Sequence, residues 1–193
     1  MKKDFPLLIV GLGNPEHEYF TTRHNLGANA LKYIASEWGY SNWRKKFEGE
    51  YISINDRKIP IHLLFPLTYM NLSGRSVAKA VKFFHIPLEN VLVLHDDVDL
   101  EFGIVKLKFG GGLAGHNGLK SIASAFGSKD FMRLRLGIGR PPYDMVNYVL
   151  GNFSQNEKKD LPEIYIKVKD IVTELIDSDV PGVMNKFNRR KKN

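Results

Sequence analysis

No cysteine occurs among the 193 residues. That absence excludes disulfides, thiol nucleophiles and thiolate metal sites, and it suits a cytoplasmic protein. No apolar run reaches the roughly 18 residues that a membrane span requires. The opening Met-Lys-Lys-Asp lacks an apolar h-region, so no secretory signal is expected. No G-x-S-x-G elbow is present, and Ser73 sits in Asn-Leu-Ser-Gly, so a serine triad has no support. The six histidines (17, 24, 62, 85, 95 and 116) show no metal-ligand spacing, so no metal is expected. Linkers, repeats and low-complexity segments are also missing.

Acidic residues are in short supply. Lys and Arg number 28 against 21 Asp and Glu, a formal charge of +7 with a pI near 9.5. A basic balance favours polyanionic partners, nucleic acid first. Part of the excess lies in a short tail at 188–193, Asn-Arg-Arg-Lys-Lys-Asn.

With 43% hydrophobic residues the chain has enough apolar material for a core. Leu7–Val10 and Val91–Leu94 read as short buried strands. Tyr51–Ile54 and Ile59–Phe65 flank Asn55-Asp56-Arg57-Lys58 as a hairpin. Ile104–Phe109 alternates, with Lys106 and Lys108 on one face and Val105, Leu107 and Phe109 on the other. In the strand 131–139, Arg133 and Arg135 share a face. Helical spacing marks 28–38, 76–84 and 119–126. Ser154-Gln155-Asn156-Glu157 is a capping box for a long helix with the stripe Leu161, Ile164, Val168, Ile171, Val172 and Leu175. Pro162 is expected near its first turn. Strands alternating with helices predict a single α/β domain over 1–193, and the hairpin makes the twisted sheet mixed, only partly parallel.

The stretch "GLGNPEHEYF" after the first strand begins like a dinucleotide loop. The third glycine of G-x-G-x-x-G is replaced by Glu16, and Pro15 offers no backbone N–H to a pyrophosphate. A carboxylate there also repels phosphate, so no nucleotide cofactor is expected. What remains is a strand end carrying Asn14 and a loop carrying Tyr19, Arg23, His24 and Asn25. Three further polar clusters sit at element ends: Asn71 after the strand Ile59–Phe65; Asp96 after the strand Val91–Leu94; and His116 with Asn117 at a helix start. Taken singly, each has a structural reading as a turn or cap. Together they suit water-mediated hydrolysis: histidine as base, aspartate orienting it, and amides on carbonyl and oxyanion.

The strings "VGLGNPEHEYFTTRHNLG", "PLTYMNLSG", "VLVLHDDVDLEFG", "KLKFGGGLAGHNGLKSI", "RLRLGIGRP" and "YVLGNFS" resemble the bacterial-type peptidyl-tRNA hydrolases. The match runs in order from about Leu8 to Phe153. The resemblance implies a cofactor-free, metal-free monomer that cleaves the ester joining peptide to the 3′-terminal ribose of tRNA. It implies His24 as catalytic base, Asp96 as the acid that stabilises it, and Asn14 as the residue separating blocked from free α-amino groups. It further implies Asn71 and Asn117 as orienting amides, with Met70 and His116 beside them. Tyr19 and Tyr69 contact the substrate end, and Lys108 and Arg135 clamp the tRNA 5′-phosphate. The chain departs from the family pattern at Glu16, at Leu113 and Ala114, and at Pro141-Pro142 in the lid segment. A non-enzymatic RNA-binding protein is the rival reading. It accounts for the basic strands but not for the combination of His24 and Asp96.

Overall fold

Leu7–Gly11 (β1) is buried at all five positions, as befits a strand covered on both faces. A computed structural model describes residues 1, 4–141 and 144–188. In it β1 pairs in parallel with Ile61–Pro66 (β4) on one side and Val91–Asp97 (β5) on the other. β5 pairs in parallel with Met132–Gly137 (β7). Arg44–Lys46 (β2), Gly49–Ile54 (β3) and Val105–Phe109 (β6) join antiparallel, giving the seven-stranded order β2-β3-β4-β1-β5-β7-β6. The expected mixed, partly parallel sheet is what forms.

Strand alternation divides the core in two. Leu7 and Ile9 face Leu26–Glu37 (α1) and Gln155–Asp177 (α5), while Leu8 and Val10 face Ser73–Phe84 (α2) and Asn117–Phe126 (α3). Met145–Val149 (α4) and Val180–Phe187 (α6) complete the helices. No helix among the described residues is long and apolar enough to cross a membrane.

Two glycines permit the close packing that brings the site together. A Cβ on Gly27 would lie 2.2 Å from the Leu94 carbonyl oxygen, so only glycine lets the start of α1 rest on the end of β5. A Cβ on Gly74 would lie 2.2 Å from the Ser121 carbonyl oxygen, so α2 approaches α3 by the same device.

Several elements differ from the sequence expectation. Asp96 does not follow β5 but lies within it. The strand runs on to Asp97 because β7 pairs with it as far as Gly137. The Ser154 capping box starts α5 as expected, but Pro162 is interior to that helix. Its missing N–H leaves the Lys158 carbonyl without a helical donor, and both residues are exposed so that water can take its place. β2 is three exposed charged residues with no apolar signal, and α4 and α6 are too short for periodicity to mark. Of the lid and tail stretches, Pro142, Tyr143 and Arg189–Asn193 lie outside the described residues.

Candidate active site

A 3-10 turn, Arg23–Asn25, precedes α1, and all three of its residues are buried. Arg23 anchors it. Its guanidinium donates to the Asn152 carbonyl at 2.7 Å and to Glu157 at 2.9 Å, and it lies 4.3 Å from the centre of the Tyr148 ring. Asn25 forms a two-bond clasp with the preceding loop: its Oδ1 accepts the Asn14 N–H and its Nδ2 donates to the Asn14 carbonyl, both at 2.9 Å. The side chain between these two anchors is His24, and it has little room to move.

His24 Nδ1 lies 3.0 and 3.1 Å from the two oxygens of Asp96. His116 Nε2 lies 2.9 Å from Asp96 Oδ1. The tautomers follow from the partners. His116 Nδ1 caps α3 by accepting the N–H groups of Gly118 and Leu119, so its proton is on Nε2 and is donated to Asp96. An ionised Asp96 only accepts, so His24 donates from Nδ1 and keeps a lone pair on Nε2. Thus His116, rather than Asn117, is the N-cap of α3.

The electrostatics point the same way. Burial disfavours the charged form of His24, but the charge and hydrogen bond of Asp96 outweigh it and hold its pKa above 6.5. Burial likewise opposes ionisation of Asp96, yet the two histidines hold its carboxyl well below the usual carboxylate range. His95, buried on the opposite face of β5, is pushed down to about 3 by burial and by His116. It is therefore neutral, and it donates Nδ1–H to the Asp96 carbonyl at 2.7 Å.

Of the three expected amides, Asn117 shares a cavity with this pair. Asn14 is buried, and its Oδ1 accepts the Met70 N–H at 3.0 Å. That bond settles which way the amide points and leaves Nδ2 as a donor with no partner among the described residues. Asn71 and Asn117 are exposed and line one open groove of about 630 Å³ between α2 and α3. A second cavity, of about 170 Å³, is lined by His24, Asp96, His116 and Asn117, with Met145 and Val146 of α4 as its apolar side. Tyr69 is exposed beside Glu16, whose hydrogen bond and charge raise the phenol pKa; Tyr19 is raised chiefly by its bond to Glu18. The departure at 114 has a cost: Ala114 takes φ +49°, a left-handed conformation that glycine adopts without strain.

Lys108 and Arg135 lie on the β6–β7 ladder, where the register sets Lys106 opposite Arg135 and Lys108 opposite Arg133. Like charges facing each other in a ladder are unfavourable by roughly 0.2–1 kcal/mol. The arginines are partly relieved. Arg135 Nε donates to Asp97 at 2.7 Å, and Arg133, 1% exposed, turns inward to the carbonyls of Gly111 and Gly112. Lys106 and Lys108 have no carboxylate partner among the described residues. Of the two cations expected to clamp the phosphate, Lys108 has no carboxylate partner among the described residues and Arg135 is held by Asp97.

His24, Asp96 and His116 also have donor atoms within 4.8 Å of one another. Both imidazole nitrogens facing Asp96 carry protons, which a cation there would have to displace.

Asn25, Arg23 and Arg133 are the supports that sequence reading did not assign. Adjacency to His24 was the one available signal for Asn25 and Arg23; for Arg133 it was the strand face shared with Arg135.

A mixed sheet with amides and a buried histidine–aspartate pair gathered at its carboxyl edge defines an α/β enzyme. The family described as peptidyl-tRNA hydrolase matches residues 8–193. The peptidyl-tRNA hydrolase of Geotalea daltonii is 47% identical over 184 residues, 95% of this chain and 96% of its own. That of Clostridium tetani is 41% identical over 181 residues, 94% and 96% of the two chains. The crystal structure of the Acinetobacter baumannii peptidyl-tRNA hydrolase superposes with a TM-score of 0.90 at 37% identity, covering 99% of this chain and 97% of that one. The chain belongs to the peptidyl-tRNA hydrolase family and is an ester hydrolase, which sets aside the non-enzymatic reading.

Proposed function

We propose that this protein hydrolyses the ester between the peptide and the 3′-terminal ribose of tRNA, with His24 as general base. The observation that carries the reading is the buried His24–Asp96 pair at 3.0 and 3.1 Å, which leaves the lone pair of Nε2 available. Water held at Nε2 attacks the ester carbonyl carbon as its proton passes to His24. The tetrahedral oxyanion accepts hydrogen bonds from the amide donors of Asn71 and Asn117. Collapse breaks the bond to the ribose oxygen, which takes the proton back from the imidazolium. Asp96 holds the ring and stabilises that cation without being protonated itself.

Selectivity for blocked substrates is supported by Asn14. Its carbonyl is occupied by the Met70 N–H, so it offers the substrate a donor. The acyl C=O of a peptidyl group accepts such a bond, whereas a free α-ammonium only donates and leaves Asn14 unpaired. Tyr19 and Tyr69 contact the peptide end, with Met70 and His116 holding the groups around it. Lys108 and Arg135 bind the 5′-phosphate of the acceptor stem. The enzyme acts as a one-domain cytoplasmic monomer that needs no cofactor.

Multiple turnover of an N-blocked aminoacyl-tRNA, run with and without chelator, tests the reading. His24→Ala is expected to lower kcat by ~10²–10⁴ while tRNA binding persists. A variant as active as wild type would remove the mechanism.

A further inference from the structure

Asn14 and Glu16 stand two residues apart in the loop after β1, and both are tied to one short segment of the chain. Asn14 Oδ1 accepts the Met70 N–H at 3.0 Å. The phenol of Tyr69, the residue before Met70, lies beside the Glu16 carboxylate and feels its charge and hydrogen bond. Each of the two side chains keeps one group unused. Asn14 is 7% exposed, and its Nδ2 donor has no partner among the described residues. Glu16 is the N-cap residue of the 3-10 turn His17–Tyr19, yet its side chain caps nothing. Its Oε2 is buried and accepts no hydrogen bond from the described residues. No lysine or arginine among the described residues pairs with Glu16 or with the exposed Glu18 that follows it.

Buried polar groups are normally paired, and an unpaired carboxylate oxygen is the costliest kind to leave. A donor and an acceptor unmatched so close together point to a ligand that accepts at one and donates at the other. In the hydrolase reading the peptide already accepts from Asn14 Nδ2 through its acyl C=O. That carbonyl belongs to the residue just before the ester-linked one. Loop residues two apart are separated by at most about 7 Å. The side chain of that peptide residue therefore starts within reach of Glu16. A lysine or arginine there brings a flexible stem and a charged donor, which is what Oε2 lacks. An acidic side chain would be repelled.

We propose that Glu16 is a specificity-determining residue of the peptide site, favouring peptidyl-tRNAs with a lysine or arginine immediately before the ester-linked residue. The proposal rests on the hydrolase reading and on Asn14 as the group that binds the acyl carbonyl. Glu16 is also a position at which the chain departs from the family pattern, so the preference is one that ester hydrolysis itself does not need.

The test uses two N-acetylated dipeptidyl-tRNAs with the same tRNA and the same ester-linked alanine. One carries lysine before the alanine, the other Nε-acetyllysine, which has a similar stem but no charge. The wild-type protein should show a kcat/KM about three- to tenfold higher for the lysine substrate at low salt. The preference should shrink as salt rises. Glu16→Gln keeps the shape of the side chain and should bring the ratio close to one, and Glu16→Lys should carry it below one. A wild-type ratio of one overturns the proposal, as does a preference that survives Glu16→Gln. Equal loss on both substrates in Glu16→Gln also overturns it, since the carboxylate would then only position Tyr69. Absence of wild-type turnover on either substrate removes the hydrolase reading and this proposal with it, whereas equal turnover of both removes the proposal alone.

Discussion

His116 and His24 donate to the same oxygen: Asp96 Oδ1 receives Nε2–H of the first at 2.9 Å and Nδ1–H of the second at 3.0 Å. The carboxylate is therefore shared, and its hold on His24 is weaker than it would be alone. His116→Asn keeps a side chain able to cap α3 but too short to reach Asp96. The carboxylate then acts on His24 undivided, and the His24 pKa rises. Under the proposed mechanism His24 acts only when neutral, so the acid limb of the pH–rate profile should move to higher pH, by a fraction of a unit to about one unit. A limb that moves down, or stays in place, would show that the sharing has no effect on the base.

Asp96→Asn works in the opposite direction. Burial already disfavours the His24 cation, and the opposing charge is now gone. The acid limb should fall below its wild-type position, and kcat should fall by ~10²–10⁴ as the ring loses its orienting acceptor. The pH–rate profile of the purified variant decides both points together.

Asn14→Asp keeps an oxygen for the Met70 N–H but loses the donor and adds a charge that attracts ammonium. Hydrolysis of blocked aminoacyl-tRNA should fall, and hydrolysis of unblocked aminoacyl-tRNA should rise relative to it. The ratio of kcat/KM for the two substrates is the measurement. An unchanged ratio would leave Asn14 only its structural bonds to Asn25 and Met70.

Lys108→Ala and Arg135→Ala should not behave alike. Lys108 has no carboxylate partner among the described residues, so its removal should raise KM for full-length substrate with Tm unchanged. Arg135 satisfies Asp97, which is 2% exposed. Its removal leaves a buried carboxylate short of a charged donor, at a cost of about 1.5–3 kcal/mol. Arg135→Ala should therefore raise KM and also lower Tm. Equal Tm values for the two variants would mean that the Asp97 bond contributes nothing to stability.

Much of this architecture is written locally. The runs Leu7–Val10 and Val91–Leu94, the alternation of 104–109 and the Ser154 capping box each depend on neighbours within a few residues, and each forms its element. The polar clusters around Asn14, His24, Asn71, Asp96 and Asn117 are legible for the same reason, since each sits at or near the end of an element that periodicity marks.

What each side chain does there is decided by contacts between residues far apart in sequence. His24 meets Asp96 across 72 residues, Met70 meets Asn14 across 56, and Arg135 meets Asp97 across 38. Periodicity shows that Arg133 and Arg135 share a face, but only the folded ladder and the glycine loop decide that one turns inward to carbonyls and the other is held by a carboxylate. It likewise cannot separate His116 from Asn117 as cap, because that depends on whether an Nδ1 lone pair meets two backbone N–H groups while Nε2 meets Asp96. Short-range spacing was enough to mark the main strands and the longer helices, but not β2, α4 or α6, and to supply the chemical inventory. The tertiary structure alone decided how protons and charges are distributed within that inventory, because desolvation and pairing exist only once the chain has closed around the site.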